Sequence, residues 1–495
     1  MAVVESSVSE ITGQATPGLD YRTKILYGVG DIANAIKMVV FGLFTLYFYT
    51  TVMGLPATLV GVASVIGLVW DASIDPVIGY LSDNARFRFG RRHTFMLAGA
   101  LIMGVSFWAF FSPPQRLSTP ALFAWLLVSD LLVRTAASVY GIPYFALGAE
   151  MSRDYHERTS ITGLRGLLAL LGTLAAAALS FVVFFPDRTP RVDPKLNYAG
   201  YPAMGLTFGL LMTIVALIAI LGTLQWRPYL TRPATSSIER STFSFQISTF
   251  LAGFVQSLRN PSFRVLFASV SLFFLGVAIN SSLALYYYTY YVRITTSTTL
   301  STFQIAFYVA ALIGVAFWLR VSQGFEKHRL YLLATLATAV LMVCALVLMG
   351  AGHLFGTGNV LVLVIGQSLA GFFGSLLWFI PGSMIADIAD EDELTTGQRR
   401  EGSFFGIFSF GQQLAAGASL LLAGVLLDWF AGLVPGQVAQ SSETVWRIGL
   451  LFSLLPAALL VAAAGLILRY TLDQQRVAVI RAELDRRHSM LNVEY

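Results

Sequence analysis

The chain has 495 residues, of which 56% are hydrophobic and 12% charged, with 32 Lys+Arg against 27 Asp+Glu. Soluble domains carry about 25% charged residues, so a mean hydropathy of +0.70 excludes a soluble globular protein and points to a chain that crosses a lipid bilayer many times. The basic residues sit in short loops between apolar runs, which argues against a nucleic-acid partner; Cys344 is alone, and His93, His156, His328, His353 and His488 have no metal-ligand spacing.

Residues 1–24 form an N-terminal tail, of which 1–20 are polar, lack an apolar core and read as a loose tail rather than a signal peptide. Runs of roughly twenty apolar residues then predict twelve membrane spans. They lie near 25–52, 56–81, 93–112, 120–148, 161–185, 201–226, 263–292, 299–322, 328–351, 358–386, 402–432 and 445–470. An N-terminal half covers 25–226 and a C-terminal half 263–470, and 471–495 is a second tail. The connection 227–262 opens with a polar stretch, 231–242, and ends in an amphipathic segment, 243–258, expected to lie along the membrane surface.

Arginines and lysines mark one side of the membrane. Arg22 and Lys24 precede the first span, Arg86, Arg88, Arg91 and Arg92 follow the second, and Arg153 and Arg158 follow the fourth. The central connection, the loops after spans eight and ten, and the C-terminal tail continue the pattern. By the positive-inside rule this side is the cytoplasm, which places both termini there and the protein in a cell (inner or plasma) membrane. A weak repeat relates the halves: Leu81-Ser-Asp83…Gly90-Arg-Arg92 after span two, and Leu319-Arg320…Gly324-Phe-Glu-Lys327-His-Arg329 after span eight. The expected fold is therefore all-α and integral to the membrane, a major facilitator architecture of two pseudo-symmetric six-helix halves with a solute site at midplane.

Within the second span, Trp70-Asp-Ala-Ser-Ile-Asp-Pro holds two carboxylates, Asp71 and Asp75. An ionised aspartate near the centre of a membrane helix costs roughly 2.5–3.5 kcal/mol on insertion scales. At i and i+4 the two share a helical face. Such a pair makes a cation site, or a site that traps a proton because both groups cannot easily ionise. The plainer alternative is a structural role, with each paired to a basic neighbour. Lys37, some twelve residues into the first span, is too deep to reach the surface and is expected to pair with Asp71 or Asp75, or else to meet an anionic solute. Asp130 and Arg134 are spaced for an intrahelical pair, and Arg134 reaching Asp71 or Asp75 is the alternative. Asp83, with Arg88, Arg91 and Arg92, is placed to lock one conformation through acids on a neighbouring helix. Tyr47, Tyr140, Tyr144, Trp378 and Phe404 offer flat apolar faces to a sugar, and the tyrosines of 286–291 read as an interfacial belt.

Four segments together resemble the glycoside–pentoside–hexuronide:cation symporters. They are Tyr27-Gly-Val-Gly-Asp31-Ile-Ala-Asn34; Trp70-Asp71-Ala-Ser-Ile-Asp75-Pro76 with the loop Asp83…Arg88-Phe-Gly90-Arg91; Glu157-Arg158-Thr159…Arg165; and Met384-Ile-Ala-Asp387-Ile-Ala-Asp390…Gly402. The resemblance implies that Asp71 and Asp75 are the coupling-cation carboxylates, with Ser138 at the place of the fourth-span hydroxyl that completes a sodium site. It implies sugar contacts at Asp31, Asn34, Tyr140, Tyr144 and Arg165. The chain also departs from the family pattern. Ala35 and Gly141 stand where galactoside-binding members carry aspartates, Ile74 replaces an asparagine, Leu68 an arginine, and Gln413 the lysine of the eleventh span.

The expectation is a secondary transporter that couples a proton or sodium gradient to uptake of a small organic solute, most simply a sugar or glycoside, by alternating access. It uses no cofactor beyond the coupling ion, works as a monomer and is not an enzyme. An anionic solute such as a hexuronide or lysophospholipid, with Lys37 supplying charge, is the alternative. A non-transporting sensor or assembly protein is the alternative from another class.

Overall fold

Lipid offers backbone amides no hydrogen-bond partner, so a chain this apolar must satisfy them within its own helices. The computed structural model describes residues 19–493, apart from 86, 88, 153, 188–192, 230–253, 255 and 399. Arg88 and most of the 243–258 segment lie outside the described residues. Among those described, twelve helices are long and apolar enough to cross a membrane. In the first half they are α1 Tyr21–Val52, α2 Ala57–Asp83, α3 Arg91–Phe110, α4 Thr119–Glu150, α5 Glu157–Phe184 and α6 Gly200–Trp226. In the second half they are α7 Pro261–Tyr291, α8 Ser297–Val321, α9 Lys327–Leu348, α10 Val360–Thr396, α11 Glu401–Ala431 and α12 Ser442–Ile467. Twelve crossings put both chain ends on one face, the terminal face.

Local sequence explains where several helices start. Asn260 accepts the Phe263 amide at 2.9 Å ahead of α7, Asn359 the Val362 amide at 3.3 Å ahead of α10, and Ser441 the Thr444 amide at 3.1 Å ahead of α12. Pro261 supplies the preset φ of a first helical position. The spans follow the apolar runs closely, except that α10 continues to Thr396, well past 386, because its terminal acids are held by basic side chains. Within the C-terminal tail, Gln474–Val493 forms a further helix, α13.

Helix α13 lies against α10. Arg481 pairs with Asp387 at 3.0 Å and Asp390 at 3.1 Å, Arg476 pairs with Glu391 at 3.3 Å, and Ile480 and Leu484 are buried. Arg476, Ile480, Arg481 and Leu484 recur at helical spacing. The helix as a whole has little amphipathic asymmetry, so residue order gave little warning of it.

The halves meet through α1 with α7, α2 with α11, and α5 with α8. Their shared hydrogen bonds cluster on the face away from the termini. Asp428, at the end of α11, accepts from the Ala57 and Thr58 amides at 3.1 and 2.7 Å, at the start of α2. Asp187, after α5, accepts from the Ser297 and Thr298 amides at 2.8 and 3.1 Å, at the start of α8. Adding six to each helix number interchanges the two contacts, so one device is used twice. A carboxylate on a helix N-terminus is favoured by the free amides and the dipole there.

Between these latches the wide turns Phe48–Val52 and Tyr287–Tyr291 bring bulky side chains into the seam. Thr50 bonds the Tyr286 hydroxyl, Gly436 donates its amide to Thr50 O at 3.1 Å, and Tyr47 approaches Thr289 at 3.5 Å. The tyrosines of 286–291 are buried, not an interfacial belt: Tyr286 meets Thr50 across the seam, while Tyr287 stacks on Phe452 at 4.0 Å and Tyr291 donates to Leu346 O at 3.0 Å within their own half. Lys195, fully buried, pairs with Asp193 at 2.8 Å; burial draws its pKa below the usual lysine range while Asp193 opposes the shift.

Candidate functional site

Helices α2 and α11 touch along a ladder that stops halfway across. The β-carbon position of Gly424 lies against Ala57, that of Gly61 against Leu420 and Leu421, and that of Gly417 against Leu68. One turn nearer the terminal face, Ala72 and Gln413 would form the next rung, but both are exposed. The helices have parted, and a cleft opens towards the terminal face. Asp71 and Asp75 sit at its apex, Gln413 opposite them.

Helix α4 supports the carboxylates from behind. Its residues 130, 134 and 138 form one stripe. Arg134 donates from Nη1 to Asp71 Oδ2 at 2.5 Å and from Nε to Asp130 Oδ2 at 2.8 Å, so one guanidinium bridges two helices. Both spacings considered for Arg134 are therefore realised at once. Asp130 is only 5% exposed. Gly67 makes room for this, since a β-carbon there would overlap Arg134 and Asp130. Ser138 presents its hydroxyl to Asp75. Among the described residues, Asp71 Oδ1 and Asp75 Oδ1 find no hydrogen-bond partner and are buried.

Lys37 departs from its expected pairing. The charges nearest to act on it are Arg134, Asp71, Asp130 and Asp75. Among the described residues, however, no carboxylate lies within the 4.0 Å of an ion pair to it, because Arg134 already holds Asp71 and Asp130. The cluster thus sets three carboxylates against two cations.

The sugar contacts implied by resemblance fall into two groups. Tyr140 and Tyr144 are fully buried, which corrects their assignment as open stacking surfaces. Tyr140 donates to Gly30 O at 3.0 Å and Tyr144 to Tyr27 O at 2.8 Å, and Tyr27 and Tyr144 stack at 4.6 Å. They fasten α4 to α1, and Gly30 permits the approach, since its β-carbon would lie 2.5 Å from the Tyr140 hydroxyl. Tyr47 and Phe404 are likewise buried, Tyr47 in the seam and Phe404 against Phe263 at 4.7 Å. Asp31, Asn34 and Arg165 instead form a polar chain nearer the terminal face: Asn34 donates to Asp31 at 2.9 Å and Arg165 pairs with Asp31 at 3.4 Å. The Arg165 guanidinium lies 4.9 Å over Phe145, beside a cavity of about 230 Å3 that Tyr27 and Arg158 also line. Trp378 ends the 3-10 turn Ser375–Trp378 in the middle of α10, with 46% of its surface exposed.

The loop after α2 meets an acid that the sequence reading did not single out. Glu150, the last residue of α4, receives Arg91 at 2.7 Å and Arg92 at 2.8 Å, and Arg92 also pairs with Asp83. In the second half Lys327 pairs with Asp387 of α10 at 2.5 Å. The repeated loop therefore docks on the equivalent helix of each half, and these ion pairs join helices within a half.

Comparison with known proteins agrees with this architecture. The family model described as "MFS/sugar transport protein" matches residues 26–474. The chain is 26% identical to an uncharacterized symporter, sll1374, of Synechocystis sp., across 95% of this chain and 97% of that one. It is 24% identical to the putative glycoside/cation symporter YagG of Escherichia coli (94% and 95% covered). It is 22% identical to the isoprimeverose transporter of Lactiplantibacillus pentosus (95% and 93% covered). Among solved structures, a D-xylose-proton symporter shares the fold with a TM-score of 0.62 at 14% identity, covering 92% of this chain and 98% of that chain. The chain is thus a membrane transporter and not an enzyme, and it belongs to the sugar-transport family of the major facilitator superfamily, among the glycoside–pentoside–hexuronide:cation symporters.

Proposed function

We propose that the protein is a cation-coupled symporter of a neutral sugar or glycoside, working by alternating access with Asp71 and Asp75 as the coupling site. The observation that carries this reading is the pair of buried, unpartnered carboxylate oxygens at the apex of the cleft. Arg134 holds Asp71 through its other oxygen, but among the described residues Asp75 has no ion pair; a buried anion without a partner is costly, so the site has a standing affinity for a cation. Its donors, two carboxylates and the Ser138 hydroxyl, suit a proton or sodium. Binding neutralises charge where α2 and α11 must close on each other, and so favours the closed, mobile state over the open one.

The distribution of basic loops assigns the terminal face to the cytoplasm, which makes this conformation inward-open, with the Asp187 and Asp428 latches closing the outer side. Asp31, Asn34, Arg165, Trp378 and Gln413 are the polar and aromatic groups available to a solute. Names of relatives support the solute class: one is a putative glycoside/cation symporter and another an isoprimeverose transporter. Three carboxylates around Lys37 disfavour an anionic solute there.

The test is uptake by the purified protein in proteoliposomes, offered radiolabelled pentosides, hexosides, hexuronides and a lysophospholipid under an inward proton or sodium gradient. Gradient-dependent accumulation of a neutral glycoside is expected. Accumulation of the hexuronide or lysophospholipid alone, or of no solute, would overturn the reading.

A further inference from the structure

We infer that Lys37 is a resident counter-cation for the Asp71/Asp75 pair, and that its presence makes a proton, not sodium, the coupling ion. The inference rests on the reading of that pair as the coupling site and adds the residue that selects the ion.

The charged groups around Lys37 can be followed helix by helix. Helix α2 contributes Asp71 and Asp75, and α4 contributes Asp130 and Arg134. Helix α5 contributes Arg165, already engaged with Asp31 of α1 at 3.4 Å. Helix α6 has no charged residue, α7 has only Arg264 near its start, and α11 has none between Glu401 and Asp428. Arg134 is immobilised by two carboxylates on two helices. Among the described residues, Lys37 is therefore the cation of the cluster that no ion pair holds, a point charge on a flexible stem.

A lysine in that position competes with a metal ion twice over. Its charge repels a second cation, and its flexible stem can carry the ammonium to the same oxygens. Hard metal cations gather a shell of several oxygen ligands. The residue between the carboxylates is Ile74, which offers no side-chain oxygen, and Arg134 occupies Asp71 Oδ2. A proton needs one carboxylate oxygen, and Asp75 Oδ1 is buried and unpartnered. Three carboxylates against Lys37 and Arg134 leave one negative charge, so one proton balances the site. When Asp75 takes that proton, Lys37 loses an attraction and is released to the remaining acids; when the proton leaves, Lys37 replaces it.

The inference is tested on purified protein by thermal unfolding in sodium chloride against choline chloride across a pH series. The wild-type midpoint is expected to be the same in both salts. Lys37→Met should gain a sodium-dependent rise of about 2–4 °C, since removing the resident cation leaves room and charge for sodium. Its pH response should also move upward by about one unit or more, because a neighbouring positive charge no longer favours the ionised carboxylate. Lys37→Arg should remain indifferent to sodium. If Lys37→Met folds poorly, Lys37→Met with Asp130→Asn restores the net charge of the cluster and should still respond to sodium.

A sodium-dependent rise in the wild type, or sodium indifference in both Met variants, would overturn the inference. Failure of the coupling site itself has a different signature. Asp75→Asn would then still accumulate solute against a gradient, whereas if only the role of Lys37 is wrong, Asp75→Asn uncouples as expected.

Discussion

The two halves share a fold and differ in what they hold inside the membrane. The N-terminal half carries Asp31, Lys37, Asp71, Asp75, Asp130, Arg134 and Arg165 within its spans. In the C-terminal half the charged residues lie towards helix ends: Arg264, Arg320, Lys327, Arg329, the acids of 387–393, Glu401, Asp428, Glu443 and Arg447. Where structure is repeated it serves closure. The Asp187 and Asp428 latches and the loops docked on Glu150 and Asp387 recur in both halves. Chemistry is not repeated, because a second buried ion cluster would add desolvation cost without adding a site. The charges buried deep within the spans are therefore concentrated in one half.

The strongest way to break this comparison is to neutralise the ion cluster. Asp71→Asn or Asp75→Asn should abolish gradient-driven accumulation in proteoliposomes while downhill exchange partly survives. Wild-type accumulation in the double Asn variant would place the coupling site elsewhere. Arg134→Ala strands Asp71 and Asp130 together and should destabilise the protein by about 3–5 kcal/mol. Adding Asp130→Asn should recover part of that loss in thermal unfolding.

Smaller effects are expected where the halves are alike. Asp428→Asn and Asp187→Asn each weaken one helix cap, and loss of a cap costs about 0.5–2 kcal/mol. A cysteine replacing Thr289 in the seam, on a background lacking Cys344, should then label roughly 2- to 30-fold faster from outside. Similar gains from the two substitutions would confirm that the latches are equivalent, and a gain from one alone would break the symmetry. The smallest effect belongs to Tyr140→Phe and Tyr144→Phe. Each removes one hydrogen bond to α1 and should cost about 1 kcal/mol, with solute affinity unchanged. A large loss of affinity would return these tyrosines to the solute site.

Much of the molecule could be read from residue order, because bilayer thickness alone sets how long an apolar run must be. The twelve spans, the two halves and the repeated loop follow from that, and so does the expense of Asp71 and Asp75. Side-chain spacing likewise announced the Asp130–Arg134 pair, since i and i+4 on a helix are neighbours whatever surrounds them. Tertiary structure decided which groups meet across helices. Lys37 lacks a close ion pair because Arg134, from a helix almost a hundred residues away, reaches Asp71 first. Tyr140 and Tyr144 are fasteners because Gly30 lets α4 press against α1. Of the 286–291 tyrosines, Tyr286 is buried against Thr50 of the other half and Tyr287 and Tyr291 against later helices of their own, and Glu150 and Asp387 become docking points because loops fold back to reach them. Helical periodicity and membrane thickness act along the chain and can be counted from it. Partner choice among buried charges depends on distances between helices, and residue order does not contain those.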